Sequence, residues 1–218
     1  MNSSKSHFIS KQKREPQSIA WAWAAGWLLV SMGQAISDVY SSPNRGLTAY
    51  YLLGFAGWII GAAGTLRYMR RKFGADANVT ALSAAGWTVG AVVAVVLGLF
   101  FLHTWNAGFL GPLAAAALGA AIGGALTLPM ASLSSPGTVA LAILRGMFSW
   151  GAAFLIFQIL AFYAWYMLYM LTVNTLSQIF GNLWASIFVG VIPASVGGLL
   201  AGWLAARLAG LRRVRPIG

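Results

Sequence analysis

The chain has 218 residues, a net charge of +11, 59% hydrophobic residues and only 8% charged ones. A soluble domain carries about 25% charged residues, and a chain of this length leaves roughly 30% of its unfolded area exposed, so a water-soluble globule would have to present Leu, Val, Ala and Trp to water. The absence of cysteine excludes disulfides, thiolate metal sites, iron–sulfur clusters and cysteine nucleophiles.

A spanning helix needs about 20 apolar residues, and six stretches meet that length. Residues 1–17 form a basic tail with Lys5, Lys11, Lys13 and Arg14. The first span is Ile19–Ile36. A competing reading makes it a signal peptide cleaved after Ala35, but the run exceeds the usual h-region of about 7–15 residues. Ser41-Ser42-Pro43-Asn44 then turns the chain into the second span, Leu47–Leu66, and Gly74 to Asn78 turns it into the third, Val79–Leu102. Asn106 to Pro112 leads to the fourth, Phe109–Met130, and Ser132 to Gly137 leads to the fifth, Met147–Leu171. Asn174 to Asn182 leads to the sixth, Leu183–Leu204, and residues 208–218 form a second basic tail. Pro, Gly, Asn and Ser are the residues expected where a helix stops and turns. The expected fold is an all-α integral membrane protein: a six-transmembrane-helix bundle over residues 18–207.

The fifth apolar run is longer than a span requires. Val139 to Leu171 would measure about 50 Å as a helix at 1.5 Å per residue, against a hydrocarbon core of about 30 Å. Residues 138–146 therefore read as an interfacial lead-in, with Arg145 snorkelling to the headgroups.

Basic residues check the helix count. They alternate along the chain: the N-terminal tail, the loop of Arg67, Arg70, Arg71 and Lys72, the lead-in at Arg145, and the end carrying Arg207, Arg212, Arg213 and Arg215. Only Arg45 falls on the other side. The positive-inside rule then places both termini in the cytoplasm, with anionic headgroups as the partner of the basic face and no role for nucleic acid. A bacterial inner membrane is the expected location. Trp21, Trp23, Trp27, Trp87, Trp150 and Trp203 fall toward the inner face and Trp105, Trp165 and Trp184 toward the outer one, where indoles serve as interfacial anchors.

Small residues recur at helical spacing: Gly54, Gly57, Gly61 and Gly64; Gly86, Gly90, Ala94 and Gly98; Ala115, Gly119 and Gly123; Ala194, Gly198, Gly202 and Ala206. Such stripes let helix backbones approach closely. Gly57, Gly61, Gly86, Gly90, Gly119, Gly123, Gly198 and Gly202 are the expected packing positions, available to this chain, to a second copy or to a partner in a membrane complex. Weak self-similarity suggests three repeated helical hairpins, residues 18–78, 79–137 and 138–207. Ala-Gly-Trp recurs at Gly26 and Gly86, 60 residues apart, while Gly57 to Gly119, Gly61 to Gly123 and Thr65 to Thr127 share an offset of 62.

Residues able to carry chemistry are few. Glu15, Asp38 and Asp76, the only acids, lie outside the spans, which argues against proton relays and cation-coupled carriers. His7 and His103 are the only histidines; they cannot supply a haem pair or a zinc motif, and no cofactor or metal is expected. Ser149 and His103 sit at opposite ends of the bundle, too far apart for a hydrolase pair. Inside the spans, Gln158, Gln34, Ser31 and the helix-interrupting Pro193 remain. They could line a path, and the expectation is a non-enzymatic bundle that passes a small neutral or anionic solute. The alternative is a structural or assembly subunit packing through its glycine faces.

Overall fold

The computed structural model describes residues 16–39, 43–73, 77–103, 110–127 and 136–210. They form six α-helices: α1 Pro16–Val39, α2 Pro43–Phe73, α3 Ala77–His103, α4 Leu110–Ala125, α5 Pro136–Phe180 and α6 Asn182–Leu208. Pro16, Pro43 and Pro136 stand at first helical positions, where a missing N–H costs nothing and the fixed φ suits the helix. Residues 1–15 and 211–218 of the expected tails, and the turns at Ser41, Ser42, 74–76, 104–109 and 128–135, lie outside the described residues.

Five helices are long and apolar enough to cross a membrane, making the chain a multi-pass membrane protein by length and composition. Large apolar side chains point outward along them, among them Leu52, Val89, Val96, Leu141, Phe148, Met170 and Ile192. That pattern suits a lipid solvent and would be ruinous in water.

Two expected boundaries need correction. The fourth helix does not run to Met130. It has 16 residues, about 24 Å at the standard rise, and breaks at Leu126, where Thr127 N–H bonds back to the Gly124 carbonyl at 3.1 Å. The fifth is one continuous helix of 45 residues, about 67 Å long, that absorbs both the lead-in and the expected break after Asn174. The Thr172 hydroxyl donates to the Leu168 carbonyl at 2.6 Å and the Ser177 hydroxyl to the Asn174 carbonyl at 3.0 Å. These polar side chains are satisfied within the helix and force no turn. The reversal is confined to Gly181, at φ 81, a backbone conformation that favours glycine.

The six helices close into a ring. α1 packs along α2 and α6, α5 packs along α4 and α6, and α3 packs along α4, whereas α2 and α3 touch only sparsely. The helix order around the ring thus follows the chain, and α2 faces α5 across the lumen. Arg67, Arg70, Arg71, Arg145 and Arg207 mark one end, called here the basic end. There the Arg145 Nε–H donates to the Leu208 carbonyl at 2.6 Å, placing a cation at the negative end of the α6 dipole. The Arg207 guanidinium lies 5.1 Å from the Trp203 ring.

An aromatic plug and the chamber above it

The core of the ring near its basic end is tryptophan. Trp23, Trp87 and Trp150 are buried, and Phe154 and Trp27 join them. Trp23 and Trp87 lie 5.1 Å apart between centroids with their planes inclined at 46°, Trp87 meets Trp150 edge-on at 5.0 Å, and Phe154 stands perpendicular to Trp23 at 4.7 Å. Trp58 reaches across to Trp23 at 5.8 Å and Phe154 at 6.2 Å. Such pairs contribute about 0.5–1.5 kcal/mol each beyond area burial. The sequence reading of Trp23, Trp27, Trp87 and Trp150 as interfacial anchors is therefore wrong. Glycines on neighbouring helices make ring-sized space in the interior, and the Trp23 and Trp87 N–H groups find partners there. Trp21 and Trp203 do face outward.

Two of the indoles are held by the same device. Trp23 Nε1–H donates to Thr65 Oγ1 at 3.1 Å, and that hydroxyl donates to the Gly61 carbonyl at 2.9 Å. Trp87 Nε1–H donates to Thr127 Oγ1 at 2.8 Å, and that hydroxyl donates to the Gly123 carbonyl at 2.8 Å. In each case the glycine leaves room for the ring it faces: a Cβ on Gly61 would fall inside the Trp23 indole and one on Gly123 inside the Trp87 indole. One turn toward the far end the backbones touch, Gly26 against Gly57 in the first hairpin and Gly90 against Gly119 in the second. The offset of 62 along the second helix of each hairpin thus has a geometric counterpart. Along the first helix it is 64, Trp23 to Trp87 and Gly26 to Gly90, one helical turn beyond the 60 of the Ala-Gly-Trp tripeptide. The third hairpin has no such lock, for Trp150 Nε1 is buried without a partner.

The remaining expected packing glycines also meet neighbours. A Cβ on Gly86 would meet Leu126, one on Gly198 the Trp23 carbonyl and the Trp27 ring, and one on Gly202 the flank of Trp23.

Above the plug, toward the far end, lies a chamber of about 560 Å³. Its floor is Trp23, Trp58 and Phe154, and its wall rises through Trp27, Ser31 and Gln34 of α1, Tyr51, Gly54 and Phe55 of α2, Ala94 and Gly98 of α3, Leu113 and Ala116 of α4, Gln158, Phe162 and Trp165 of α5, and Gly190 and Ala194 of α6. Among the described residues, no Asp, Glu, Lys, Arg or His lines it. Of the four expected path residues, Gln158, Gln34 and Ser31 are brought together here. Pro193 is buried in α6 one residue before Ala194 and does not line the chamber. Two polar atoms of the wall are buried without a partner, the Tyr51 hydroxyl and Gln158 Oε1. Tyr51 and Gly54 escape sequence reasoning because each sits in a run of its own kind, Tyr50-Tyr51 and the α2 glycine stripe. Gly54 differs from the rest of that stripe in facing open space.

No protein-family model, curated protein or solved structure matches the chain. The chamber and its floor are therefore the basis for a functional reading.

Proposed function

We propose that the protein is a non-enzymatic, six-span bundle of a bacterial inner membrane that admits a small neutral solute to the chamber and passes it on by displacing the plug. The observation that carries this reading is the chamber itself: it reaches mid-bundle, gathers Gln158, Ser31 and Gln34, and ends on the packed indoles of Trp23 and Trp58. Alternating basic loops support placing both termini and the plug on the cytoplasmic side, with anionic headgroups against the arginines. The lining favours a neutral over an anionic solute, since no described Lys or Arg lines the chamber and an unpaired charge in an apolar site is strongly disfavoured.

An assembly subunit that docks partners through its glycine faces is the weaker reading. Gly57, Gly61, Gly90, Gly119, Gly123, Gly198 and Gly202 all lie against the chain's own helices, which leaves those faces no room for a partner.

Uptake into proteoliposomes, screened over neutral and charged small solutes, tests the proposal. Saturable flux of a neutral solute is expected, lost in Gln158→Leu and in Gly54→Leu, which fills the chamber where nothing stands within 4 Å. Absence of flux for every solute, or flux indifferent to Gly54→Leu, would count against it.

A further inference from the structure

The chamber has one thin wall, and from it we infer that the solute comes from the bilayer: an uncharged, apolar molecule dissolved in the hydrocarbon, which enters sideways between α2 and α3. This rests on the chamber reading above and names its solute class and route. The other neighbours in the ring pack along one another, whereas α2 and α3 touch only sparsely. They are joined at the plug, where Trp58 Nε1–H donates to the Trp87 carbonyl at 3.0 Å and the two rings lie 6.0 Å apart. Toward the far end, small residues of both helices line the chamber without meeting a neighbour closely. A Cβ on Gly54 would have nothing within 4 Å, and one on Gly98 would meet only the Ala115 methyl at 4.0 Å. Gly57 and Gly90, by contrast, are pressed against the backbones of α1 and α4, so each helix turns its close-packing face to its own hairpin partner. What stands in the seam is Phe55 of α2 and Val95 of α3. Both line the chamber, yet Phe55 is 44% exposed and shares its helix face with the outward Leu52 and Ile59, at the three- and four-residue spacings that make neighbours on a helix. Val95 likewise stands between the exposed Val92 and the buried, chamber-lining Ala91. At this level the wall is one side chain deep on each helix. Both positions fall within segments long and apolar enough to cross a membrane, Ala49–Arg71 and Ala77–Phe101, so the seam opens on hydrocarbon. A molecule arriving that way carries no charge and no unmet hydrogen bond, since either is costly in an apolar medium. The lining suits it: the Tyr51 hydroxyl is buried in the wall, and Phe55, Val95, Leu113 and Phe162 offer apolar contact. Rotation of the exposed Phe55 side chain, a fast local motion, opens the seam without parting the clasp at Trp58.

Naphthalene is the probe, because it is uncharged, dissolves in the bilayer and shifts nearby fluorine resonances through its ring current. The full chain, with fluorotryptophan in place of tryptophan, is held in nanodiscs and titrated while fluorine NMR reads each indole. Naphthalene is expected to shift Trp58 and Trp165, which line the chamber, saturably. It should shift Trp21, which faces outward, only in proportion to its concentration. A naphthalene trisulfonate, confined to water, and a phosphatidylcholine with a naphthyl-tipped acyl chain are expected to leave Trp58 and Trp165 unmoved. The chain has no cysteine of its own, so Phe55→Cys with Val95→Cys can be bridged by a flexible bis-methanethiosulfonate linker and freed again by a reductant. Bridging before naphthalene is added is expected to abolish the shifts at Trp58 and Trp165, and reduction to restore them. Shifts that survive the bridge, or a bridge that does not form, overturn lateral entry. A response to the trisulfonate would put entry at an aqueous mouth, and a saturable response to the tethered naphthyl would make a lipid tail the occupant. Either overturns the solute class and leaves the chamber standing. If naphthalene moves neither Trp58 nor Trp165 saturably, the chamber reading itself fails and takes this inference with it.

Discussion

Replacing Thr65 by valine isolates one tryptophan lock. Valine keeps the shape of threonine but removes the oxygen that accepts from Trp23 Nε1 and the hydroxyl that donates to the Gly61 carbonyl. Both partners are essentially inaccessible, Trp23 at 1% exposure and Thr65 at 0%, so water cannot replace the lost bond. The indole cannot turn to another acceptor either, because Gly61 and Gly202 hold it on two sides. An unsatisfied buried donor costs about 1–3 kcal/mol. Interhelical hydrogen bonds in membranes average about 0.6 kcal/mol with a maximum near about 1.7, because the unfolded chain also finds partners in lipid. The walled-in indole puts this site at the upper end, at about 1–2 kcal/mol. Equilibrium unfolding in mixed micelles, followed by tryptophan emission, reads the loss. Thr65→Ser retains the oxygen and should lose less than half as much. A double-mutant cycle with Trp23→Phe should return a coupling of about 1 kcal/mol, the scale of one net hydrogen bond. Stability within about 0.3 kcal/mol of wild type, or a coupling near zero, would refute the argument, since either lies below the smallest loss a buried donor allows.

The matched geometry of the second lock requires Thr127→Val to cost the same as Thr65→Val within error in that assay. A gap above about 1 kcal/mol, a whole hydrogen bond, would show that the two hairpins are not equivalent. Gly123→Ala drives a Cβ into the Trp87 ring and should destabilise by about 1–3 kcal/mol, the usual range for overpacking, whereas Gly54→Ala, with nothing within 4 Å, should be close to neutral. Gly181→Ala has open space around it but keeps φ 81 and ψ 160, so its cost of about 1–3 kcal/mol is purely backbone strain; an unchanged transition would mean that the α5–α6 joint relaxes freely. Arg145→Met loses the bond to the Leu208 carbonyl and should cost about 0.5–1.5 kcal/mol, readable as a lower unfolding midpoint.

The count of helices was legible because apolar runs of span length have few rivals in such a chain. Their ends were less so. Asn174 and Ser177 have turn chemistry, yet in α5 the Ser177 hydroxyl is satisfied by the Asn174 carbonyl and the helix runs on. Gln158, Gln34 and Ser31 stood out as polar residues in apolar helices, and the chamber gathers all three. Tryptophan misled the reading because its amphipathic ring suits both an interface and a core with an acceptor. For Trp23 and Trp87 the acceptors that suit a core are Thr65 and Thr127, and those partners are 42 and 40 residues apart. The repeat was visible in Thr65 and Thr127, but the Ala-Gly-Trp tripeptide misplaced the first helix by one turn, since a short composition match does not record which face a residue occupies.

The ring also carries an order of assembly. α1 is made first and α6 last, and Gly197, Gly198 and Gly202 of α6 form a wall for Trp23 and Trp27 of α1. Hairpins can pair as they are synthesised, N-terminal first, but those two indoles stay unwalled on that side until the sixth helix arrives. Closure of the core therefore waits on a contact between the two most distant helices in the chain. During that interval an α1 flank of bulky rings beside small residues is open to lipid, to a chaperone or to the equivalent helix of a second nascent chain.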